Sequence, residues 1–91
     1  MNDHIDPFYL LVGYYYSLSK KTPLMPEFEP SDPLAAIEKA LVLPVGAVIE
    51  IISMKMKRFY PWYQVNSLGR TGWINSIALA GQDISIFEEK K

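Results

Sequence analysis

Residues 45–79, VGAVIEIISMKMKRFYPWYQVNSLGRTGWINSIAL, contain most of the information about the fold. Residues 48–53 are rich in β-branched side chains, which favour strands, and further short apolar runs follow at residues 62–66 and 71–74. The last two runs are separated by Asn66-Ser67-Leu68-Gly69, where a type I turn with a bulge would place the glycine at a positive φ. Short strands in close succession predict an all-β protein.

The flanking sequence extends this pattern to a single domain over residues 1–91. Residues 9–18 are dense in Tyr, Leu and Val and predict a first strand, and residues 84–86 predict a last one. We expect residues 1–7 to form a loose N-terminal arm and residues 88–91 to form a solvated tail.

A long, proline-rich connection at residues 19–44 separates the first strand from the strands that follow. Within it, Asp32 or Ser31 can cap a short helix that has Pro33 in its first position. This helix is predicted at about residues 32–41, with one apolar face on the core formed by Leu34, Ile37 and Leu41. The alternation along the strands adds the expected core residues Ile49, Ile51, Val65 and Ile74.

Several motifs in this order resemble the Src-homology-3 (SH3) domain family, and its bacterial type in particular. Gly46-Ala47-Val48-Ile49-Glu50-Ile51-Ile52 resembles the glycine-led second strand, and Trp62-Tyr63-Gln64-Val65 resembles the aromatic pair that opens the third strand. Gly69-Arg70-Thr71-Gly72-Trp73-Ile74 resembles the hairpin return in which tryptophan follows the second glycine. The resemblance covers residues 45–79, with a looser match at Tyr14-Tyr15-Tyr16. It implies a small five-stranded SH3-like β-barrel whose enlarged first loop, of the RT type, carries the short helix.

The segment that would bind a polyproline ligand differs from the SH3 family in its residue types. SH3 domains that bind proline-rich peptides use a proline and a tyrosine in the short helical turn after the hairpin return. Asn75 and Ala78 take those two positions in this chain. Because a polyproline ligand lies between aromatic ridges and Ala78 removes one ridge, the sequence disfavours such a ligand.

The composition disfavours several classes of function. The chain contains 9 Lys and Arg residues and 10 Asp and Glu residues, which gives a formal net charge of -1. This charge is not typical of a protein that coats nucleic acid or anionic lipid. The absence of cysteine removes disulfides, thiol catalysis and thiolate metal sites. The single histidine, His4, stands between Asp3 and Asp6 on the N-terminal arm, and we expect this cluster to face solvent rather than hold a metal. No catalytic motif is recognisable, so we expect neither catalysis nor a cofactor.

Aromatic residues make up 13% of the chain and supply the candidate binding surface. Tyr and Trp side chains offer a large contact area with few rotors to freeze, so we expect a protein or peptide partner to contact them. The candidates are Tyr14, Tyr16, Tyr60, Trp62 and Trp73. Trp62 comes first, because its counterpart in the family faces the binding groove; packing of the barrel is the alternative role for each of them.

Two clusters of charged residues are further candidates. Glu27 and Glu29, followed by Asp32, form an acidic patch in the long loop. In SH3 domains the acids of this loop often pair with a basic residue of the ligand, and the alternative here is a solvated loop with a helix cap. A basic cluster in the next loop could contact phosphate or an acidic partner, or form a solvated turn: Lys55, Lys57 and Arg58.

Together these features predict a non-catalytic SH3-like module that binds a protein or peptide partner through an aromatic groove. It would act as an adaptor, an assembly subunit or a small inhibitor. The alternative is a bacterial cell-wall module of a secreted protein that binds peptidoglycan peptides, and nucleic-acid binding is disfavoured relative to both. Fold resemblance alone does not decide between these functions.

The N-terminal sequence also bears on localisation and assembly. The apolar run at residues 8–18 is too short to span a bilayer, and its acidic lead-in lacks the positive charge of a signal peptide. We therefore expect a cytoplasmic protein without a membrane span, or an extracytoplasmic one if the chain is an excised domain. Residues 8–12 are a candidate exposed edge strand, through which the chain could form a homo-oligomer.

Overall fold

Strands dominate the part of the chain that this computed structural model describes, which is residues 5–26, 32–57 and 59–89. The all-β class is therefore confirmed. In chain order the elements are β1 (Tyr14–Ser17), β2 (Thr22–Leu24), α1 (Pro33–Lys39), β3 (Leu41–Leu43), β4 (Val48–Lys57), β5 (Tyr60–Ser67), β6 (Arg70–Asn75), α2 (Ser76–Leu79) and β7 (Ser85–Glu89). Neither of the helices described is long and apolar enough to cross a bilayer.

The strands form a five-stranded antiparallel sheet in the order β6-β5-β4-β1-β7 and a second sheet of β2 and β3. The two sheets meet at Met25, whose N–H donates to the Trp73 carbonyl over 2.8 Å. The Met25 carbonyl accepts from the Trp73 N–H over 2.7 Å. Gly72 permits this approach, because a Cβ at that position would lie 2.7 Å from the Met25 carbonyl oxygen.

The core lies on the inner face of the larger sheet. Residues directly opposite each other in antiparallel strands point to the same side, and Ile51 stands opposite Val65 as Tyr63 stands opposite Ile74. Ile49, Ile51, Val65 and Ile74 are all buried, as predicted. Other strands and α2 complete the core with Tyr16, Leu18, Leu24, Leu43, Tyr63 and Leu79.

The start of α1 follows the sequence prediction. The helix begins at Pro33, and the amide of Ala35 donates to Asp32 Oδ1 over 3.2 Å. Asp32 therefore caps the helix, and this part of the prediction is confirmed.

The predicted apolar face and end of the helix are wrong. Leu34 is 76% exposed, and α1 ends at Lys39, two residues short of the predicted end. Leu41 belongs to β3, where it packs partly buried against the core. The reason is tertiary, because residues 41–43 pair with β2 and the inter-strand hydrogen bonds replace a further helical turn. The side chain of Ile37 lies outside the part of the chain described.

Several strand boundaries also differ from the predictions. β1 begins only at Tyr14, because a turn precedes it in which the Tyr14 amide donates to the Leu11 carbonyl over 3.2 Å and Gly13 has a φ of 91°. β4 continues to Lys57, so Lys55 and Lys57, which were expected in a loop, stand on a strand. β7 extends to Glu89, which pairs with Tyr14, so the strand includes two residues of the predicted tail.

The turn between β5 and β6 has a different type from the predicted one. Leu68 and Gly69 both have positive φ, 52° and 75°, and Ser67 pairs directly with Arg70. A two-residue loop with positive φ at both positions is a type I′ turn, whose twist matches that of the flanking strands.

Candidate functional site

Strands β4, β5 and β6 place aromatic, basic and polar side chains on the face of the sheet opposite to the core. Trp62 stands directly opposite Lys55 on one neighbouring strand and Asn75 on the other. Tyr60 stands opposite Lys57, and Gln64 lies between Ser53 and Trp73. Because opposite residues share a face, one surface, which we name the outer face, is formed by Ser53, Lys55, Lys57, Tyr60, Trp62, Gln64, Trp73 and Asn75.

The aromatic side chains of the outer face differ in accessibility. Trp62 exposes only 9% of its surface, whereas Tyr60 exposes 40% and Trp73 is half-buried. The Nζ of Lys55 lies 5.6 Å from the centroid of the Trp73 ring, within the range of a cation–π interaction. The accessible surface of the outer face therefore comes mainly from Tyr60, Trp73 and the lysines, and little of it comes from Trp62.

Tyr14 and Tyr16 lie on the inner face and are separated from the other candidates. Tyr16 is 2% exposed and stands opposite Ile49, and its ring stacks on that of Tyr14 with centroids 6.3 Å apart. The hydroxyl of Tyr16 accepts a hydrogen bond from the Leu11 amide over 2.9 Å. Burial raises the pKa of this hydroxyl, and the Leu11 bond only partly offsets the effect. The structure thus divides the predicted aromatic set between the two faces of the sheet.

Tyr63 is a buried structural residue, and only the structure shows that its hydroxyl anchors the N-terminal segment. Its hydroxyl donates to the Pro7 carbonyl over 2.8 Å and accepts from the Leu10 amide over 3.1 Å. Burial raises the pKa of Tyr63, against a smaller lowering by the Leu10 bond. Between these two bonds, the Phe8 ring lies 6.0 Å from that of Tyr60. Pro7, the last residue of the arm expected to be loose, and residues 8–10 after it are therefore tied to the sheet.

Polar groups around the outer face are mostly used to hold the sheet and α2 in place. Ser53 Oγ donates to Gln64 Oε1 over 3.0 Å, and Asn66 accepts a short hydrogen bond from Thr71. Asn75 Oδ1 accepts from the Ile77 amide over 2.9 Å and so caps α2. These bonds fix the positions from which the aromatic and basic side chains project.

A pocket of about 110 Å³ is lined by residues 24–26, Lys39, Leu41, Arg70 and Thr71. Its wall combines apolar groups of Leu24 and Leu41 with the basic side chains of Lys39 and Arg70. Sequence reasoning missed it, because its residues come from the long loop, the end of α1, β3 and β6. It is large enough for a small side chain but not for a cofactor.

The remaining predicted candidates lie outside the described residues. These are the loop acids Glu27 and Glu29, Arg58 of the basic cluster, and Asp3 and His4 of the arm. Within residues 5–26, 32–57 and 59–89, no group of three or more His, Cys, Asp or Glu side chains could hold a metal ion.

Comparison of the chain with protein-family models, with curated proteins and with solved structures finds no match.

Proposed function

We propose that the chain is a non-catalytic SH3-like domain that binds a protein or peptide partner through its outer face. The observation that carries this proposal is the placing of Tyr60, Trp62 and Trp73 beside Lys55 and Lys57 on three adjacent strands. Tyr and Trp are among the residue types that contribute most to protein recognition.

The order of elements supports the SH3-like part of the proposal. A long first connection is followed by three antiparallel strands and then by the short helix α2, which precedes β7. The hydrogen bonds between Met25 and Trp73 join β2 to the edge of β6, and such a junction would close the two sheets into a small barrel.

The surroundings of α2 support a ligand other than polyproline. Asn75, at the family's proline position, uses its side chain to cap α2, and Ala78, at the tyrosine position, packs partly buried against the core. Neither can provide the aromatic ridge that a polyproline helix requires.

A display library of random peptides, selected against the folded domain, tests the proposal. Trp73→Ala and Tyr60→Ala should each weaken the selected peptides by tenfold or more, because truncation of an interface aromatic often costs about 2 kcal/mol or more. Phe87→Ala is the matched control, since it removes an exposed aromatic from β7 at the far edge of the sheet. Trp62→Ala is a poor test, because truncation of a buried Trp costs about 3–5 kcal/mol of stability.

The same selection contains the outcomes that contradict the proposal. If Trp73→Ala and Tyr60→Ala bind the selected peptides as tightly as the unchanged chain, the outer face is not the binding surface. If the domain selects no peptide but sediments with purified peptidoglycan, the cell-wall alternative replaces the proposal.

A further inference from the structure

We propose that the chain forms a symmetric dimer with a second copy of itself through an exposed apolar patch at one end of the β4–β5 hairpin. The apolar patch consists of Tyr9, Leu11, Val12, Met54, Met56 and Phe59. It shares no residue with the outer face, so this inference goes beyond the proposed function and does not depend on it.

The strand β4 contributes two methionines where it extends beyond the core. Met54 stands opposite Tyr63 and Met56 stands opposite Pro61, and residues directly opposite each other share a side of the sheet. Tyr63 and Pro61 are fully buried, whereas both methionines are exposed. The inner side of the hairpin therefore continues as apolar surface past the point where the core covers it. Phe59, in the turn between β4 and β5, is exposed at the same end.

The segment before β1 adds three more side chains beside these methionines. The Tyr63 hydroxyl holds this segment at the Leu10 amide, and the Gly13 amide donates to the Ile51 carbonyl over 2.8 Å. Both attachment points lie on β4 and β5, the strands of the hairpin. Within residues 9–12, only Leu10 is buried, and the other three side chains are exposed.

The segment before β1 does not present the strand edge that the sequence predicted. Residues 8–12 form no strand, so the exposed edge strand expected there is wrong. Association of two copies through this segment would therefore depend on side-chain packing rather than on backbone pairing.

The size of the apolar patch matches one half of a standard protein interface. Its residues are exposed by between 46% and 86%. At these fractions the patch presents roughly 700 Å², whereas the largest apolar patch of a monomer is typically about 300–600 Å². Each partner in a stable interface contributes about 800 Å², so two such patches together provide the area that a stable dimer needs.

The composition of the apolar patch favours a second copy over an unrelated partner. None of its side chains carries a charge, and homodimer interfaces are more apolar than transient ones. A twofold interface joins the same surface of both copies, and an uncharged apolar surface is complementary to itself. The flexible methionines can adapt to the aromatic rings of the other copy. Lys55 and Lys57 alternate with the methionines and project from the opposite side of β4, so they do not oppose each other across the interface.

Analytical ultracentrifugation of the full chain over a wide range of concentrations tests the proposal. We expect a reversible equilibrium between monomer and dimer without larger species, because a twofold interface closes on itself. In a mixture of isotope-labelled and unlabelled chains, isotope-filtered NMR should detect contacts of the Met54 and Met56 methyl groups with the other copy. The Met25 methyl group should give no such contact, because Met25 pairs with Trp73 at the β6 edge of the sheet.

Charge substitutions at exposed positions provide the matched variants. Leu11→Glu and Met56→Glu should each weaken the dimer by tenfold or more, because the interface would bury an unpaired carboxylate from each copy. Leu34→Glu and Val45→Glu replace apolar side chains that are also exposed but lie outside the patch, and they should leave the dimer unchanged. Circular dichroism shows that each variant keeps the fold.

Trp73→Ala separates this proposal from the proposed function. It alters the outer face and should leave the dimer intact, whereas Met56→Glu should leave the binding of peptides selected on the outer face intact.

The following results would each overturn the proposal. The chain remains a monomer at every concentration, or it forms open-ended aggregates instead of a dimer. The dimer is as stable in Leu11→Glu and Met56→Glu as in the unchanged chain, or Leu34→Glu and Val45→Glu weaken it equally. A monomer that sediments with phosphatidylcholine vesicles, and no longer does so after Met56→Glu, would assign the apolar patch to a lipid surface.

Discussion

Tyr63→Phe tests how the N-terminal segment is held on the sheet. The substitution removes only the hydroxyl oxygen, and the phenyl ring fills the same fully buried space. The substitution removes two hydrogen bonds of the hydroxyl, the one donated to the Pro7 carbonyl at 2.8 Å and the one accepted from the Leu10 amide at 3.1 Å. The change therefore separates hydrogen bonding from packing.

The expected loss of stability depends on whether water can replace the hydroxyl at the Pro7 carbonyl and at the Leu10 amide. A hydrogen bond between neutral groups contributes about 0.5–1.5 kcal/mol, and a buried donor left unpaired costs about 1–3 kcal/mol. Leu10 is buried, so water cannot easily replace the bond to its amide, whereas Pro7 is only half-buried. We expect Tyr63→Phe to lower the free energy of unfolding by about 2–3 kcal/mol.

Urea unfolding measures this cost, with Tyr16→Phe as the matched control. Among the described residues, the Tyr16 hydroxyl accepts one hydrogen bond, from the Leu11 amide, and Leu11 is exposed, so that water can replace this bond. Its removal should cost about 1 kcal/mol. Amide exchange at Leu10 should accelerate in Tyr63→Phe more than exchange at Val65. Equal costs for the two variants, or unchanged exchange at Leu10, would refute the assignment of Tyr63 as the anchor.

The same residue predicts a loss of stability at alkaline pH. Burial raises the pKa of Tyr63, so the unfolded chain ionises first, near a pH of about 10. The contribution of the neutral Tyr63 hydroxyl to the free energy of unfolding is complete below that pH. It is lost as the pH rises from there through the pKa of Tyr63 in the folded chain. Tyr63→Phe should therefore show a shallower decline in stability above pH of about 10 than the unchanged chain. The pKa of Tyr16 is raised as well, so part of the decline should remain.

Three substitutions test other close contacts, each by urea or thermal unfolding. Gly72→Ala should cost about 1–3 kcal/mol, because its Cβ would lie 2.7 Å from the Met25 carbonyl oxygen; a cost under about 0.5 kcal/mol would show that this segment yields. Leu68→Asn should stabilise by up to about 1 kcal/mol, because Leu68 is exposed at a φ of 52°, which asparagine tolerates better; an unchanged midpoint would contradict this explanation. Gln82→Ala should lower the free energy of unfolding by about 2–3 kcal/mol. The Gln82 side chain accepts hydrogen bonds from the amides of Ser19 and Lys20 and donates to the Thr22 hydroxyl and the Ala78 carbonyl. A loss below about 1 kcal/mol would mean that water replaces these bonds.

The sequence by itself determined the features that depend on neighbouring residues. Alternation placed Ile49 and Ile51 on one buried face, and the order Asp32-Pro33 marked the start of α1. These predictions succeed because side-chain alternation and helix capping are set within a few residues of the chain.

The tertiary structure alone decided which distant segments pair and pack together, and the candidate site depends on these contacts. Pairing with β2 made residues 41–43 a strand, although the spacing of Leu41 from Leu34 and Ile37 also fits a helix. Register placed Tyr16 in the core and Tyr60 on the outer face, and one bond joined Leu10 to Tyr63 across 53 positions. Such pairings are selected by the packing of the whole domain, and a local pattern of residue types is compatible with more than one of them.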